Sequence, residues 1–286
     1  MKEKLLQVKD LSFAYEKKTV LKNISVSVSR GEKVAIMGSN GAGKSTFFLN
    51  LNGVLWRDSG EILLDGKRIE KKNITELRKR VGFVFQDADS QMIAATVKTE
   101  ISFGPMNLKL GREEVVRRVE AAISYMSLEE LQDRPPHYLS GGEKKRVSIA
   151  DILAMEPEIL IFDEPMAALD PVNAQNVEKI LQKLHEDGKT LLVATHDVDF
   201  AYRFADRILV FAGGSLIADG TPLEIFRKDE VMKQAHLRKP SMMTIWEALI
   251  EAQIVTGKSS YPVTPDEAAK EIAHNSSGLS ERNGSI

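Results

Sequence analysis

A glycine-rich segment between residues 38 and 46 carries the residue types that bind phosphate. It reads GSNGAGKST, and it follows the apolar run KVAIM and opens the helical run STFFLNLNG. Its glycines let backbone N–H groups face an anion at a helix N-terminus, while a lysine reaches terminal phosphates and a serine holds Mg²⁺. An ordinary turn before a helix is disfavoured, because strand, loop and helix follow in the required order. The predicted phosphate-binding residues are Gly38, Ser39, Asn40, Gly41, Ala42, Gly43, Lys44, Ser45 and Thr46.

Three other apolar runs end in polar side chains that could act on a bound phosphate. ILIFDEP carries Asp163, which can hold the Mg²⁺ shell, and Glu164, which can orient or deprotonate a water molecule. LLVATHD carries His196, and VGFVFQ ends in Gln86, a candidate for Mg²⁺ or the attacking water. Such runs are typical of strands covered on both faces of a parallel sheet, whose carboxyl ends bind ligands. Taken alone, each side chain also fits a structural role: a solvated turn, a packed histidine or a solvent-facing glutamine.

The segment LSGGEKKR, residues 139–146, places a serine and two glycines before the apolar-periodic run VSIADILAM. Ser140 offers a hydroxyl, and Gly141 and Gly142 allow a close backbone approach. A helix that begins there points its positive end at an anion. A capped surface helix explains the serine and one glycine, but not the pair. We therefore treat this segment as a second candidate anion site.

Composition narrows the classes of partner. The chain has 286 residues, 43% hydrophobic and 28% charged, with a net charge of -2, which is typical of a soluble globular protein with an appendage. It has no basic excess, so we expect no nucleic-acid partner. It has no cysteine, which excludes disulfides and a thiolate metal site. No apolar run approaches the ~20 residues that cross a bilayer, so any membrane role requires a partner.

Periodicity indicates an α/β fold. LLQVKDLSFAY and LKNISVSVS alternate apolar and polar residues, as half-buried antiparallel strands do. Tyr15, which ends the first of them, could stack on an adenine ring, although taken alone it fits core or edge packing better. Sheet signals stop after about residue 226. We expect a helical extension over residues 227–274 and a disordered tail over residues 275–286.

The motifs GSNGAGKST, LSGGEKKR, ILIFDEP, AALD and ATHD, together with Gln86, resemble in this order the ATP-binding subunits of ABC transporters. The resemblance covers about residues 4–226. It implies an ABC-type P-loop NTPase with a RecA-like parallel sheet, an antiparallel β subdomain and a helical subdomain at about residues 87–145. It also implies ATP hydrolysis with Mg²⁺. The implied roles are nucleotide binding by the phosphate loop and Tyr15, Mg²⁺ binding by Ser45, Gln86 and Asp163, and hydrolysis by Glu164, His196 and Gln86.

In that family two subunits meet head to tail. The resemblance implies that Ser140, Gly141 and Gly142 contact the nucleotide of the other subunit, and that Asp170 lies at the same interface. The second ATPase subunit is expected to be an identical copy, with a heterodimer as the alternative. Two residues depart from the common family pattern: glutamic acid replaces glutamine after the glycine pair, and methionine replaces threonine after Asp-Glu-Pro. Neither removes a phosphate or metal ligand, so we expect activity.

The segment VGFVFQDADSQMIAATVKTEISFGPMNLKL is similar to the ATPases of energy-coupling-factor transporters, and residues 194–226 are similar to those of cobalt importers. The resemblance implies a peripheral protein on the cytoplasmic membrane face, with a transmembrane coupling subunit and a substrate-binding membrane subunit as partners. Cobalt is the expected cargo, with nickel or a vitamin as alternatives. The expected docking residues, exposed at the surface, are Met92, Ile93, Met106 and Leu108.

Two other functional classes fit less well. A soluble ABC ATPase of DNA repair or the ribosome usually carries a long coiled-coil insertion or two ATPase units, but the span between Ser45 and Ser140 is short and one unit is present. A nucleotide-binding regulator without turnover would lack Glu164 or His196.

Overall fold

The computed structural model describes residues 3–89, 91–256 and 261–280. Its strands form two sheets. The strands are β1 (Lys4–Tyr15), β2 (Lys18–Ser29), β3 (Lys33–Met37), β4 (Ser59–Leu64), β5 (Lys67–Arg68), β6 (Val81–Val84), β7 (Ile159–Asp163), β8 (Thr190–Ala194), β9 (Arg207–Ala212) and β10 (Ser215–Gly220).

The described part of the chain contains eleven α-helices. The helices are α1 (Lys44–Leu51), α2 (Ile74–Arg80), α3 (Val97–Asn107), α4 (Arg112–Tyr125), α5 (Gly141–Leu153), α6 (Pro171–Glu186), α7 (Val198–Phe204), α8 (Pro222–Phe226), α9 (Asp229–Ala235), α10 (Ser241–Glu251) and α11 (Pro265–Ser280). Within the described residues, none of them combines the length and the apolar character needed to cross a bilayer.

The larger sheet has the strand order β10-β9-β3-β8-β7-β6. All its neighbours pair in parallel except β10, which runs antiparallel along the β9 edge. Strands β6, β7 and β8 are buried at every position, which explains their continuous apolar sequences. The carboxyl ends of β3, β6, β7 and β8 lie at one edge of the sheet, as the sequence predicts, and this edge carries the candidate site.

The smaller sheet is antiparallel, with the order β2-β1-β4-β5. Strands β1 and β2 form a hairpin in which Tyr15 pairs with Lys18. Their alternating burial reflects one packed and one solvated face, as predicted. Residues of this sheet, such as Leu6 and Ile24, share a buried apolar core with α1 and β3. The sheet is therefore fixed to the element that follows the phosphate loop.

A second core lies between the larger sheet and helices α3 to α6. Helix α3 places Val97 and Ile101 against α4 and α5, and α6 buries Leu181 and Leu184 along one face. This burial explains the helical spacing of apolar residues in α4 and α6. The packing joins α5, which begins in the LSGG segment, to the strands that carry Asp163 and His196.

The residues after 226 form helices α9 to α11, which pack on α7, β9 and one another. Trp246 is fully buried with Val255 and Ala268, and Met243 reaches a cluster that includes Val210. Helix α11 runs through residue 280, so residues 275–280 are helical where the sequence suggested a disordered tail. The helix starts in a charged, alanine-containing run and continues into the serine- and glycine-containing segment, which composition alone had suggested to be disordered. The rest of the predicted tail lies outside the described residues.

Candidate active site

The phosphate loop leaves the carboxyl end of β3 and closes on the first turn of α1. Gly38, Gly41 and Gly43 have φ values of 141°, 77° and 103°, which residues with side chains rarely adopt. At Gly38 a Cβ atom would stand 2.1 Å from the carbonyl oxygen of Phe211 in β9. All three glycines are therefore favoured by their backbone conformation, and Gly38 also by its close approach to a neighbouring strand.

Lys44 begins α1 with a side chain that is only 7% exposed. Its Nζ donates to the carbonyl oxygens of Gly38 at 2.7 Å and Ser39 at 3.2 Å, which holds the ammonium over the loop. Burial lowers the pKa of Lys44, and the nearby carboxylates of Glu164 and Asp163 oppose that shift. A desolvated cation beside backbone donors is a strong partner for a phosphate.

The loop lines a cleft of about 500 Å³. Ser45, Gln86 and Asp163 all line it, although they come from α1, the segment after β6 and the end of β7. Hydroxyl, amide and carboxylate oxygens are hard ligands of the kind that Mg²⁺ prefers, with phosphate oxygens and water completing its shell. The donor set that the structure brings together therefore fits a magnesium–nucleotide complex.

Glu164 and His196 form a hydrogen-bonded pair at the same sheet edge. His196 Nδ1 lies 2.9 Å from Glu164 Oε2, and the two residues follow the adjacent parallel strands β7 and β8. Glu164 has a φ of 46°, a strained conformation for a non-glycine residue, and its N–H donates to the Ala194 carbonyl at 3.0 Å. A carboxylate fixed in this way can accept a proton from water, while the imidazole orients it.

A second cleft, of about 760 Å³, continues from the first. Asn40, Gln86 and Glu164 line both, and His196 lines the second. Its far wall is the turn of residues 236–238, which begins the segment between α9 and α10. Sequence patterns did not indicate this turn, because it reaches the site only through the packing of the C-terminal helices.

Helix α5 begins at Gly141 with Ser140 as its N-cap, as predicted. The N–H of Glu143 donates to Ser140 Oγ at 3.4 Å, and the N–H of Ser140 donates to Glu143 Oε2 at 2.8 Å, a reciprocal capping box. Ser140 and Gly141 are exposed, while Gly142 is buried. None of these residues lines either phosphate cleft. The structure therefore keeps this helix N-terminus apart from the chain's own phosphate loop.

The two glycines of LSGG have different surroundings. At Gly142 a Cβ atom would stand 2.1 Å from Asn173 Oδ1 in α6, whereas Gly141 has only one ordinary contact, at 3.8 Å. Asn173 Nδ2 donates to Asp170 Oδ2 at 2.5 Å, and Asp170 Oδ1 accepts the N–H groups of Val172 and Asn173 at 3.0 Å. Gly142 thus permits close packing between two helices, and Gly141 leaves an open approach to the N-terminus of α5.

Tyr15 lies outside the lining of the phosphate cleft. It is 47% exposed and packs edge-to-face on Phe13, with ring centroids 4.9 Å apart. Its hairpin partner Lys18 does line the cleft. Tyr15 therefore pairs with a residue of the cleft without lining the cleft itself, and its stacking on adenine stays a prediction.

A glycine turn between β9 and β10 completes the cleft, and sequence reasoning missed it. The N–H of Gly214 donates to the Ala42 carbonyl at 3.2 Å, and Gly213 and Gly214 both line the cleft. A Cβ atom at Gly214 would stand 2.3 Å from the Val20 carbonyl oxygen. The glycine pair signals a turn, but nothing local in the sequence shows that this turn closes on the phosphate loop.

Sequence comparison places these features in a known family. Residues 21–167 match the family model described as ABC transporter. The chain is 47% identical over 248 residues to the energy-coupling factor transporter ATP-binding protein EcfA of Methanocaldococcus jannaschii, covering 86% of this chain and 89% of that one. It is 46% identical to EcfA of Methanothermobacter thermautotrophicus, covering 82% and 77% of the two chains. The chain belongs to the ABC transporter family of ATP-binding proteins.

Structural comparison agrees with this assignment. The ABC ATPase superposes on cbiO1 of Clostridium perfringens, described as part of the ABC transporter complex cbiONQ, with a TM-score of 0.73, 42% identity and coverage of 86% and 100%. It also matches a dimeric ATP-binding cassette in a post-hydrolysis state bound to ADP and Pi, with a TM-score of 0.67, 30% identity and coverage of 76% and 99%. The predicted ABC-type α/β fold and membership of the energy-coupling-factor branch are confirmed, and ATP is the substrate of this ATPase.

Proposed function

We propose that this ABC ATPase works as a head-to-tail dimer in which two copies enclose two MgATP molecules. One observation carries the proposal. In a single chain Glu164 lines the phosphate cleft, whereas the exposed α5 N-terminus at Ser140 and Gly141 lines neither cleft. In the proposed dimer, a two-fold axis brings the α5 N-terminus of each copy opposite the cleft of the other. A similar structure that is dimeric and bound to ADP and Pi supports a dimer.

Within each composite site, the residues divide the work. Lys44 and the loop N–H groups bind the phosphates, and Ser45, Asp163 and Gln86 hold the magnesium ion. Glu164 accepts a proton from the attacking water, and His196 keeps the carboxylate in place. The α5 N-terminus of the partner presents the Ser140 hydroxyl and backbone donors to the γ-phosphate.

Dimer formation is the direct test of this proposal. With hydrolysis blocked by Glu164→Gln, we expect MgATP to convert the purified chain from monomer to dimer in light scattering, and ADP to leave it monomeric. A chain that stays monomeric at saturating MgATP would contradict the head-to-tail arrangement. One that is equally dimeric without nucleotide would show a different interface.

The proposed membrane partner binds beside Gln86. Three large apolar side chains are exposed in the segment that follows Gln86: Ile93 at 77%, Met106 at 63% and Phe103 at 45%. Large apolar side chains exposed at a surface can mark interaction sites. The names of the relatives, which are transporter ATP-binding proteins, support a peripheral subunit on the cytoplasmic face of the membrane that drives import through a transmembrane coupling subunit and a substrate-binding membrane subunit.

The structure refines the choice of residues for testing this surface. Met92 and Leu108 are half-buried, contrary to the expectation of exposure, and Met92 packs against the second core. Ile93→Arg therefore tests docking without disturbing the fold, and we expect it to release the chain from membranes while ATP binding is retained. Ile245→Arg is the matched control, because Ile245 is also exposed, at 53%, but lies in α10. Equal membrane retention of both variants would contradict the proposed surface.

The proposed cargo is cobalt, with nickel or a vitamin as the alternatives. The proposal rests on the similarity of residues 194–226 to cobalt-importer ATPases, and the likeness to cbiO1 supports it. We expect cells without this chain to lose uptake of trace cobalt and to keep vitamin uptake. The reverse result would overturn the cobalt assignment and leave the transporter assignment intact.

A further inference from the structure

Lys145, in the second turn of α5, is a buried cation with no role in the proposed hydrolysis. Its side chain is only 2% exposed. Removing an ammonium group from water is costly unless polar partners replace the lost hydration. The burial of Lys145 is therefore tolerated only if polar groups around its ammonium replace the lost water.

Its partners are the two backbone carbonyls that follow β6. Lys145 Nζ donates to the carbonyl oxygens of Gln86 at 2.8 Å and Phe85 at 3.0 Å. Asp87 and Asp163 also lie within electrostatic range of the ammonium. Charge-assisted hydrogen bonds of this kind are about twice as strong as neutral ones. The side chain thus joins α5 to the point at which the chain leaves the sheet toward Gln86.

The neighbouring link is different in character. Lys144 pairs with Asp89 at 2.6 Å, but the Asp89 side chain is 65% exposed. Ion pairs this open to solvent contribute little and are screened by salt. Lys145 is therefore the stronger of the two connections between α5 and residues 85–89.

The two elements that Lys145 joins differ in their relation to the phosphate clefts. Gln86 lines both phosphate clefts of its own chain, whereas the N-terminus of α5 is exposed and reaches neither cleft. Lys145 is five positions after Ser140, so the bond lies within about one and a half helical turns of the exposed end. A rigid helix transmits a shift over that length with little loss.

We propose that Lys145 is a positioning residue that fixes the Gln86 segment to α5, so that the element contacting the chain's own nucleotide and the element offered to the partner's nucleotide move as one. The role of α5 in the second half of this statement rests on the proposed dimer. Lys145 touches no reacting atom and acts through the backbone of Gln86.

The first test is Lys145→Met, which keeps the volume of the side chain and removes its donors. We expect kcat for MgATP to fall about 10- to 100-fold, since a misplacement of about 1 Å can cost about 10²-fold. ATP affinity, measured on the monomeric chain through its own phosphate loop, should change less than about twofold. Lys189→Met is the matched control: Lys189 Nζ also donates to a backbone carbonyl, that of Pro157 at 2.8 Å, but away from the site. Its kcat should equal that of the wild type.

A double-mutant cycle separates positioning from simple packing. If Lys145 acts through Gln86, the chain with both Gln86→Ala and Lys145→Met should be no slower than Gln86→Ala alone, within about twofold. Rate losses that multiply would overturn the proposal, as would a wild-type kcat for Lys145→Met. If that variant fails to fold, judged by its thermal transition, Lys145→Arg and Lys145→Gln take its place. Arginine should then keep more of the rate than glutamine, and the opposite order would overturn the proposal.

The outcomes also distinguish this inference from the proposed function. If Lys145→Met hydrolyses ATP at the wild-type rate, the inference about Lys145 is rejected and the proposed function is unaffected. A wild-type chain that does not dimerise with MgATP rejects the head-to-tail proposal, while the dependence of Gln86 on Lys145 remains measurable in the cycle.

Discussion

The phosphate loop and the α5 N-terminus are both helix starts that favour anions, but their surroundings differ. Lys44 is 7% exposed, and the loop is closed in by β9, the β1–β2 hairpin and the Gly213–Gly214 turn. At α5, Ser140 and Gly141 are open to solvent, and the N–H of Ser140 donates to the capping carboxylate of Glu143. The phosphate loop lies in a cleft built by its own chain, while the α5 N-terminus lies outside both clefts. This difference is the basis for the proposed dimer, in which a second copy faces the α5 N-terminus.

The largest expected effect concerns Glu164 in the phosphate cleft. Glu164→Gln should leave ATP binding intact and lower turnover by about 10²- to 10⁴-fold, the usual contribution of a positioned general base. Glu186→Gln makes the same change at an exposed glutamate of α6 and should have no effect. Comparable turnover in the two variants would remove Glu164 from the role of base.

Lys44→Ala should break the same site at the binding step. Hydrogen bonds to charged groups contribute about 1.5–3 kcal/mol, so we expect ATP affinity to fall about 10- to 100-fold. Isothermal titration with ATP measures the change, and Lys22→Ala, at an exposed lysine of β2, is the control. An unchanged affinity would mean that the buried ammonium does not serve the phosphates.

Gly142→Ala sharpens the comparison at α5. The added Cβ would meet the Asn173 amide, which is tied to Asp170, so overpacking should destabilise the chain by about 1–3 kcal/mol. Gly141→Ala, with space around it, should cost far less. Asn173→Ala should restore the thermal transition of Gly142→Ala, and a lack of rescue would contradict the packing role assigned to Gly142.

The smallest effect is a pH dependence that arises from Asp151 in α5. Burial, together with the nearby Glu100 carboxylate, raises the pKa of Asp151 to about 7. Because the pKa in the folded state lies above the unfolded value, this residue costs stability progressively as pH rises from about 4 to about 7. Asp151→Asn should therefore raise the melting temperature more at about pH 8 than at about pH 5. Asp133→Asn, at an exposed carboxylate, should show no such trend, and a flat profile for Asp151→Asn would refute the assignment.

The sequence predicted the parts of this molecule whose signals are local. Strands β3, β7 and β8 were predicted because each is a continuous apolar run that leads into the phosphate loop or a candidate site residue. Helix α5 was found because serine and two glycines precede an apolar-periodic run. Since parallel strands share one edge, the approach of Asp163 to the phosphate loop followed from the element types alone.

The parts that sequence reasoning missed depend on contacts between distant segments. Gly214 reaches Ala42, the turn of residues 236–238 reaches the second cleft, and Lys145 reaches the Gln86 carbonyl. No periodicity or motif in the sequence identifies the residues that these segments contact. Likewise, the pattern of LSGG could not separate the open Gly141 from the packed Gly142.

The central claim is that each site joins the phosphate loop of one copy to the α5 N-terminus of the other. Gly141→Asp tests it cleanly, because a carboxylate fits the first turn of α5 without a clash yet repels a γ-phosphate presented by the partner. Gly141→Asp and Lys44→Ala chains should each be inactive alone. Mixed in equal amounts, they should recover about a quarter of the wild-type ATPase rate, since random pairing gives half of the dimers one intact composite site. A Gly141→Asp chain with normal activity alone, or a mixture with no recovered activity despite dimer formation, would contradict the claim.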